Sequence, residues 1–320
     1  MHAIVAREAG GPEVLTLAEV ERPVPGPGQL LVKVSAVGVN FIDTYKRSGS
    51  YKVHYPFTPG SEASGTVEEI GNRVTGFSPG DRVATAEGIN CYAGYALVDE
   101  DKALPVPRGV DDFTAAALPL QGITAHYLIN SSFKVEPGHT VLLHAGAGGV
   151  GLLLIQLLKA KGARVITTVS TDDKEQLARD AGADHVLRYN GFAAKVRELT
   201  DGTGADVVYD GVGKDTFDGS LAALRIRGTL VLFGAASGPV PPVDPQRLNA
   251  GGSLYLTRPT IAHFVLNAQE RRWRSDELFA AVSEGSLKVR IGARYDLAEA
   301  ARAHDDLEQR RTTGKVILVP

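Results

Sequence analysis

Short alternating runs of apolar and polar residues dominate the first hundred positions of the chain. Residues 30–37 and 65–70 alternate regularly, which predicts strands with one buried and one exposed face. Residues 81–85 and 95–98 follow the same pattern, and glycine and proline residues separate these runs. The pattern predicts a β-rich region with few helices that ends near residues 105–109.

Longer apolar runs alternate with helical segments in the middle of the chain. Residues 141–143 form a continuous apolar run, which is typical of a strand buried in a parallel sheet. Residues 152–158 are apolar over a helical length, and residues 163–169 predict the next strand. Further strands are predicted at residues 206–210, 229–233 and 252–257, and further helices at residues 111–129, 173–181 and 194–200. This alternation predicts an α/β fold with a doubly wound parallel sheet.

A glycine-rich turn lies between the first of these strands and the helix that follows it. Gly146, Gly148 and Gly151 have the G-x-G-x-x-G spacing, and Gly149 and Val150 lie inside it. The first glycine permits a tight turn, the second lets backbone approach a pyrophosphate, and the third allows helix and strand to pack closely. Such a loop also joins a strand to a helix without any ligand. The strand–turn–helix–strand context favours dinucleotide binding by a Rossmann-type domain.

The length of the chain suggests two domains, because 320 residues are many for a single hydrophobic core. Helices predicted at residues 277–284 and 297–309, and a strand at residues 315–319, follow the alternating region. We expect this tail to return to the N-terminal domain. Residues 1–121 and 258–320 then form one domain, and residues 122–257 form the dinucleotide-binding domain.

Composition narrows the class of protein further. The net charge of −3 gives no reason to expect a nucleic-acid partner. Cys91 is the single cysteine, which excludes an intrachain disulfide and a cysteine-rich metal site. Arg7 and Glu8 follow a very short apolar stretch, unlike a signal peptide, and no apolar run approaches the ~20 residues that span a bilayer. We therefore expect a soluble, cytoplasmic protein without a membrane partner.

Two groups of motifs carry a family resemblance. The sequence PGSEASG at residues 59–65, with GDRV at residues 80–83, resembles the signature of the medium-chain dehydrogenase/reductase family. The sequence NFIDTY at residues 40–45, with RSG at residues 47–49 and Tyr51, resembles the NADPH:quinone oxidoreductases related to zeta-crystallin. Further matches are YDGVG at residues 209–213, GSLY and TRP within residues 252–259, and GKV at residues 314–316. The resemblance covers essentially the whole chain.

The resemblance implies that the β-rich domain is a GroES-like catalytic domain that does not use zinc. Zinc-containing members have a ligand histidine where this chain has Ser61, and they carry four clustered cysteines. Without such ligands, zinc cannot polarise a carbonyl group. The chemistry left is hydride transfer from NADPH to an electron-poor small molecule, a quinone or a conjugated enone. An enone reductase and a non-catalytic NADPH-binding protein, crystallin-like or RNA-binding, remain as alternatives.

The resemblance also assigns site residues. Asn40 and Tyr45 line the nicotinamide end of the site as hydrogen-bond donors, and Tyr51 lies near the substrate. The alternative is that Tyr45 and Tyr51 are partly buried aromatic residues whose hydroxyls only satisfy local partners. The residues expected around NADPH are Asn40, Thr124, Gly146, Gly148, Gly149, Val150, Gly151, Ser170, Lys174, Tyr189, Phe233, Gly234 and Arg310.

The adenine ribose is recognised about 20 residues after the glycine turn. Residues 169–171 have two hydroxyls there and no carboxylate, which favours NADPH over NADH. Lys174 and Tyr189 match positions that hold the 2′-phosphate in the quinone oxidoreductases. Asp172 and Asp173 keep NADH use open, because like charges near a phosphate weaken its binding.

Other polar residues are expected to be structural. Asp43 is interpreted as a hydrogen-bonding residue, His144 as a packing residue near the glycine turn, and Cys91 as a core or loop residue. Residues 252–257 read as an apolar strand at a sheet edge, and an exposed edge invites pairing. Relatives pair two such strands across a two-fold axis, so we expect a homodimer.

Overall fold

The structure, a computed structural model, describes all 320 residues. The chain divides into a first unit, Met1–Gln121 with Asn267–Pro320, and a second unit, Gly122–Leu266. The strands are β1 (His2–Ala6), β2 (Leu15–Glu19), β3 (Gln29–Val39), β4 (Glu62–Ile70), β5 (Arg82–Thr85), β6 (Tyr95–Asp99), β7 (Leu104–Pro105), β8 (Thr140–Leu143), β9 (Arg164–Thr168), β10 (His185–Leu187), β11 (Ala205–Asp210), β12 (Leu224–Leu232), β13 (Tyr255–Thr257), β14 (Ile291–Asp296) and β15 (Lys315–Val319).

Helices and short helical turns connect these strands. The α-helices are α1 (Phe41–Arg47), α2 (Asp112–Ala117), α3 (Pro119–Tyr127), α4 (Gly149–Ala160), α5 (Asp172–Asp180), α6 (Phe192–Leu199), α7 (Phe217–Ala223), α8 (Gln246–Ala250), α9 (Ala268–Ser283) and α10 (Ala300–Glu308). Short 3₁₀ turns lie at Pro12–Val14, Glu100–Lys102, Ile261–Phe264 and Leu297–Glu299, and a π-helical turn lies at Leu128–Ser132. No helix is long and apolar enough to cross a bilayer.

The first unit is built on a seven-stranded sheet in the order β14-β15-β3-β4-β5-β7, with β6 also paired to β3. The β-rich N-terminal region predicted from the alternating runs is confirmed. The C-terminal strand β15 pairs antiparallel with β3, and Leu318 lies opposite Val37. This pairing places β15 between β14 and β3, next to the start of α1.

The second unit contains a six-stranded, wholly parallel sheet in the order β10-β9-β8-β11-β12-β13. Counted from β8, this is the order 3-2-1-4-5-6 of dinucleotide-binding sheets. The doubly wound α/β fold predicted from the sequence is confirmed. The switch in strand order lies between β8 and β11, where the glycine turn follows β8.

Several predicted elements differ in extent. The single helix predicted at residues 111–129 is two helices, because Pro119 has no backbone N–H to donate into a continuous helix. Helix α1 was not predicted, although Asn40 and Asp43 have the spacing of a helix N-terminus. Strand β13 is shorter than residues 252–257, since Gly252 (φ 109°) and Ser253 (φ 55°) form a left-handed turn.

Residues 258–266 belong to the second unit by this division, whereas we expected the return to the first at residue 258. Phe264 stacks on Tyr127 of α3 with ring centroids 4.3 Å apart and planes 5° from parallel. Such stacking stabilises the contact beyond the area that it buries. The segment is therefore held to the second unit by side-chain packing, which hydrophobic periodicity does not reveal.

Candidate active site

A buried ion pair lies at the centre of the first unit. The side chain of Lys315 on β15 is 1% exposed, and its ammonium pairs with the fully buried carboxylate of Glu62 on β4. Lys315 Nζ also donates to Asn40 Oδ1 at 2.7 Å. Buried charges are tolerated only when paired and hydrogen-bonded, so these three side chains stabilise one another's positions.

The side-chain amide of Asn40 is fully engaged within this cluster. Its Nδ2 donates to Glu62 Oε2 at 2.7 Å and to the Gly38 carbonyl at 3.2 Å. Glu62 Oε1 accepts from the Leu120 backbone N–H at 2.7 Å. A Cβ at Gly38 would lie 2.3 Å from Glu62 Oε2, so only glycine admits the carboxylate here. Both amide hydrogens of Asn40, which we expected to donate to a ligand, are donated within this cluster.

Asp43 lies beside this cluster on α1 and is completely buried. Its Oδ2 accepts from the Asn40 backbone N–H at 3.0 Å and from the Tyr92 hydroxyl at 3.2 Å. Its Oδ1 is buried without a hydrogen-bond partner. Burial raises the pKa of the Asp43 carboxyl from 3.8 to about 6, and the hydrogen bond from Asn40 only partly offsets this.

A hydrogen-bond chain continues from Tyr92 into helix α10. Arg47 Nη1 lies 3.1 Å from His304 Nδ1, and because arginine only donates, Nδ1 must accept. His304 Nε2–H then donates to the Tyr92 hydroxyl at 2.9 Å. Burial, with the nearby Arg47 charge, lowers the pKa of His304 to about 3, so the ring is neutral. Arg47 Nη2 also donates to Glu308 at 2.9 Å.

These contacts fix both ends of α1, which carries two of the three residues of an aromatic cluster. The rings of Tyr45 and Tyr51 lie 5.5 Å apart, and those of Phe41 and Tyr45 lie 6.4 Å apart. Tyr51 is 46% exposed and Tyr45 half-buried, so the cluster has an accessible face. Tyr45 and Tyr51, two of the residues expected near the substrate, are thus brought together.

Ser61 and Cys91 do not belong to a set of metal ligands. Across the whole chain, no three His, Cys, Asp or Glu side chains cluster in a way that could hold a metal ion. Cys91 is buried in the core of the first unit, and burial raises the pKa of its thiol. Ser61, half-buried, accepts from the Gly88 N–H through its carbonyl oxygen at 2.8 Å.

The glycine turn of the second unit is packed too tightly for other residues. A Cβ at Gly151 would lie 2.3 Å from the Ala145 carbonyl oxygen, and one at Gly146 would lie 2.3 Å from Thr167 Oγ1. Gly148 is the N-cap of α4, whose first-turn N–H groups have no intrahelical acceptor. This arrangement fits the pyrophosphate of a dinucleotide.

His144 links the strand ends below the glycine turn. Its ring nitrogens lie 2.8 Å from Thr168 Oγ1 and 2.9 Å from Ser220 Oγ, and Ser220 donates to Asp210 at 2.8 Å. Burial lowers the pKa of His144 to about 4, so this ring is neutral too. The residue therefore does more than pack, because it joins the carboxyl ends of β8 and β9 to α7 through hydrogen bonds.

Asp210 organises the neighbouring turn after β11. Its buried carboxylate accepts from the Val212 and Gly213 N–H groups at 2.8 and 3.0 Å, and from the Thr216 hydroxyl. A Cβ at Gly234 would lie 2.5 Å from the carbonyl of Gly211, within this turn. The turn thus holds Gly234 in place, at the end of the segment that also carries Phe233.

The region expected to hold the 2′-phosphate lies at the tips of β9 and β10. Lys174 Nζ is 3.5 Å from the exposed Ser170 Oγ. Arg188, which the sequence analysis did not single out, pairs with Asp172 and lies 2.9 Å from Glu175 Oε2. The sequence did contain a signal for Arg188, because this cation directly precedes Tyr189, a residue expected to contact the 2′-phosphate.

The expected cofactor residues fall in both units. Asn40 and Arg310 belong to the first, where Arg310 follows α10 with φ 58° and is exposed. The second contains Thr124, Gly146, Gly148, Gly149, Val150, Gly151, Ser170, Lys174, Tyr189, Phe233 and Gly234. Thr124 lies on α3 and is 8% exposed. Lys315, Tyr92 and His304 were missed, although a lysine in the apolar run of β15 is an unusual residue for a core strand.

Comparison with known proteins places the chain in a family. Residues 26–132 match the family described as alcohol dehydrogenase GroES-like domain, and residues 149–281 match zinc-binding dehydrogenase. A quinone oxidoreductase of Pseudomonas aeruginosa is 45% identical over 315 residues, 97% of each chain. A 2-haloacrylate reductase of Burkholderia is 41% identical and covers 99% of this chain and 98% of its own.

A solved structure of a mycobacterial protein complexed with NADPH is 55% identical, covers 100% of both chains and superposes with a TM-score of 0.98. The fold and the glycine turn thus define a medium-chain dehydrogenase/reductase. Within that class, the chain belongs to the quinone oxidoreductase family.

The buried Asp43 carboxyl predicts a pH-dependent stability that Asp43→Asn should abolish. Since the pKa in the folded protein is about 6 against an ordinary 3.8, protonated Asp43 stabilises the fold below pH 3.8. That stability is lost as the pH rises through about 6. At about 1.4 kcal/mol per pH unit, the variant should gain about 2 kcal/mol relative to the parent between about pH 4.5 and 7.5, because the pKa of about 6 lies about 1.5 units above the lower limit.

Urea unfolding of both proteins between about pH 4.5 and 7.5 measures this difference. His304 and His144, with pKa values lowered to about 3 and 4, act in the opposite sense and destabilise the fold as the pH falls below 6.5. They are present in both proteins, so their effect cancels in the difference. A difference that does not change with pH would show that Asp43 does not titrate in this range.

Proposed function

We propose that the protein catalyses the NADPH-dependent reduction of quinones without a metal ion. The observation that carries the proposal is the accessible aromatic cluster of Phe41, Tyr45 and Tyr51. Phe41 and Tyr45 lie on a helix that buried hydrogen bonds fix at both ends, and Tyr51 follows that helix. Full-length similarity to quinone oxidoreductases and to a protein solved with NADPH supports it.

The second unit supplies the residues that would hold the cofactor. Backbone N–H groups of residues 149–151 at the start of α4 bind the pyrophosphate. Ser170, Lys174 and Tyr189 contact the 2′-phosphate. NADPH, when bound, supplies a hydride to an electron-poor acceptor. Thr124, Phe233 and Gly234 complete the expected set in this unit.

Within the first unit, Tyr45 is the proposed catalytic residue. A planar quinone packs against the rings of the aromatic cluster, with Tyr51 at its exposed side. The Tyr45 hydroxyl donates a hydrogen bond to the carbonyl oxygen on which negative charge develops. The hydride brings two electrons and one hydrogen, and a single proton from water, delivered directly or through Tyr45 Oη, completes the hydroquinone. Asn40 positions α1 through Glu62 and Lys315.

Zinc-independence rests on the side chains present. Ser61 occupies the position of a ligand histidine in zinc-containing relatives, and Cys91 is buried in the core. Glu62, the neighbouring carboxylate, is engaged by Lys315, Asn40 and Leu120. Hydride transfer to a quinone needs no Lewis acid beyond a hydrogen-bond donor, so the ligand-poor site is consistent with the proposed acceptor.

Reduction of a conjugated carbon–carbon double bond is the second candidate. The 41% identity to a 2-haloacrylate reductase over 99% of the chain favours it specifically. A conjugated acceptor also accepts hydride and develops negative charge on its carbonyl oxygen, so the same hydroxyl would serve.

Cytoplasmic localisation and the absence of a nucleic-acid partner stay predictions.

We also propose a homodimer formed through β13. This strand is the edge of the parallel sheet and pairs only with β12. Tyr255 on β13 and Ile226 on β12 are 62% and 69% exposed, which is high for large apolar residues. An exposed apolar edge is the kind of surface that a second copy of the chain covers by strand pairing.

The proposed function predicts NADPH oxidation that depends on a quinone and persists after treatment with a chelator. Tyr45→Phe removes only the proposed donor, so kcat should fall about ten- to a thousandfold while the Kd for NADPH changes little. Steady-state kinetics with 1,4-benzoquinone and with an alkenone measure kcat, and calorimetric titration with NADPH measures Kd.

Tyr295→Phe is the matched control, since its hydroxyl donates to Asp306 elsewhere in the first unit. Faster turnover with the alkenone than with any quinone would favour the second candidate. Oxidation that ceases when zinc is removed, or an unchanged kcat in Tyr45→Phe, would contradict the proposed mechanism.

The homodimer predicts a mass in solution of twice the chain mass of 33.9 kDa. Tyr255→Glu places a charge on the exposed edge and should shift the protein toward the monomer at micromolar concentration. Light scattering measures this, with Leu17→Glu, on an exposed position of β2, as the control. A parent protein that is monomeric at these concentrations would overturn the proposal.

A further inference from the structure

We propose that Arg188 determines the preference for NADPH by neutralising the carboxylates at the start of α5. The inference rests on the proposed function, since it concerns the 2′-phosphate site at Ser170 and Lys174. Arg188 follows β10 directly and precedes Tyr189. It lies on a different element from the acidic residues, so its charge reaches them across the sheet edge.

The acidic residues are concentrated where a phosphate is expected. Asp172, Asp173 and Glu175 all lie in the first turn of α5. The partial positive charge of a helix N-terminus attracts anions, and at α5 these three carboxylates are already the anions nearest to it. Left unpaired, these carboxylates would repel a 2′-phosphate and favour a ribose that carries hydroxyls instead.

Arg188 bridges two of the three carboxylates. Its Nη2 pairs with Asp172 Oδ1 and lies 2.9 Å from Glu175 Oε2. Arg179 pairs with Glu175 from within the helix, at 2.6 Å. Lys174, Arg188 and Arg179, which reaches back from the last turn of α5, together equal in number the three carboxylates of the first turn. Removing Arg188 therefore leaves the phosphate site with a net negative charge.

The arrangement is suited to specificity rather than to folding. The Asp172 side chain is 99% exposed and that of Arg188 is 38% exposed. Ion pairs this exposed contribute little to stability, so substitutions here should leave the fold intact. Their field still reaches a neighbouring phosphate, because screening in physiological salt acts over about 8 Å. Lys174 Nζ lies 3.5 Å from Ser170 Oγ. Without Arg188, the repulsion between the carboxylates and the phosphate would oppose the attraction of Lys174 for it.

The test compares two nucleotides that differ in the 2′-phosphate, 2′,5′-ADP and 5′-AMP. Isothermal titration calorimetry gives their Kd values for the parent and for Arg188→Ala. A unit charge a few ångströms away in aqueous surroundings corresponds to about fivefold in affinity, and more for a dianion. Arg188→Ala should therefore weaken 2′,5′-ADP about five- to tenfold and change 5′-AMP less than about twofold.

The double variant Arg188→Ala/Asp172→Asn separates charge neutralisation from direct contact. It should recover most of the lost affinity for 2′,5′-ADP, whereas Asp172→Asn alone, which leaves the Arg188 charge unopposed, should strengthen the binding of 2′,5′-ADP by about fivefold. The ratio of the NADPH Kd to the NADH Kd should rise in Arg188→Ala and return toward the parent value in the double variant. Because salt screens exposed charges, 0.5 M salt should reduce these differences between the proteins. Failure of the double variant to recover, or equal losses for both nucleotides, would overturn the inference.

Lys174→Ala distinguishes this inference from the proposed function. If it weakens 2′,5′-ADP selectively while Arg188→Ala does not, the phosphate site stands and the role of Arg188 is refuted. If the parent binds 2′,5′-ADP no more tightly than 5′-AMP, the proposed phosphate site itself fails, and the role of Arg188 fails with it.

Discussion

The ammonium of Lys315 is held inside the first unit by Glu62 and Asn40, and this cluster determines where the neighbouring elements lie. Lys315 comes from the last strand of the chain, Glu62 from β4 and Asn40 from the start of α1. Because each charged group would be costly to bury alone, the three elements must come together for any of them to be satisfied. The end of the chain is thereby tied to the helix that carries Tyr45.

A second set of contacts ties the other end of α1 to the same C-terminal segment. Arg47 reaches His304 and Glu308 on α10, and Tyr92 passes the hydrogen-bond chain on to Asp43. The second unit uses a similar device, in which buried neutral His144 joins strand ends below the glycine turn. In both units, buried polar networks hold the residues proposed to bind or react, while the hydrophobic cores hold the sheets.

The glycine turn and the alternating apolar runs were enough to predict the doubly wound sheet, since strand and helix periods depend on local sequence. Pro119 also contained enough information to predict that α2 and α3 are separate helices. The packing of residues 258–266 against the second unit could not be predicted, because it depends on tertiary contacts. Asn40 was singled out as a site residue by resemblance, and that role stays a prediction, whereas its contacts with Lys315 and Glu62 join residues that are distant in sequence. Arg188 shows the same limit, because a charge acts on whatever the fold places beside it.

The Lys315–Glu62 pair holds the first unit together, and a double-mutant cycle tests this role most directly. Lys315→Met and Glu62→Gln, each of which leaves the other partner buried and unmatched, should each lower the free energy of unfolding by about 3–5 kcal/mol. The double variant should lose clearly less than the sum, as measured by urea unfolding. Strictly additive losses would show that the two residues act independently and would contradict this account.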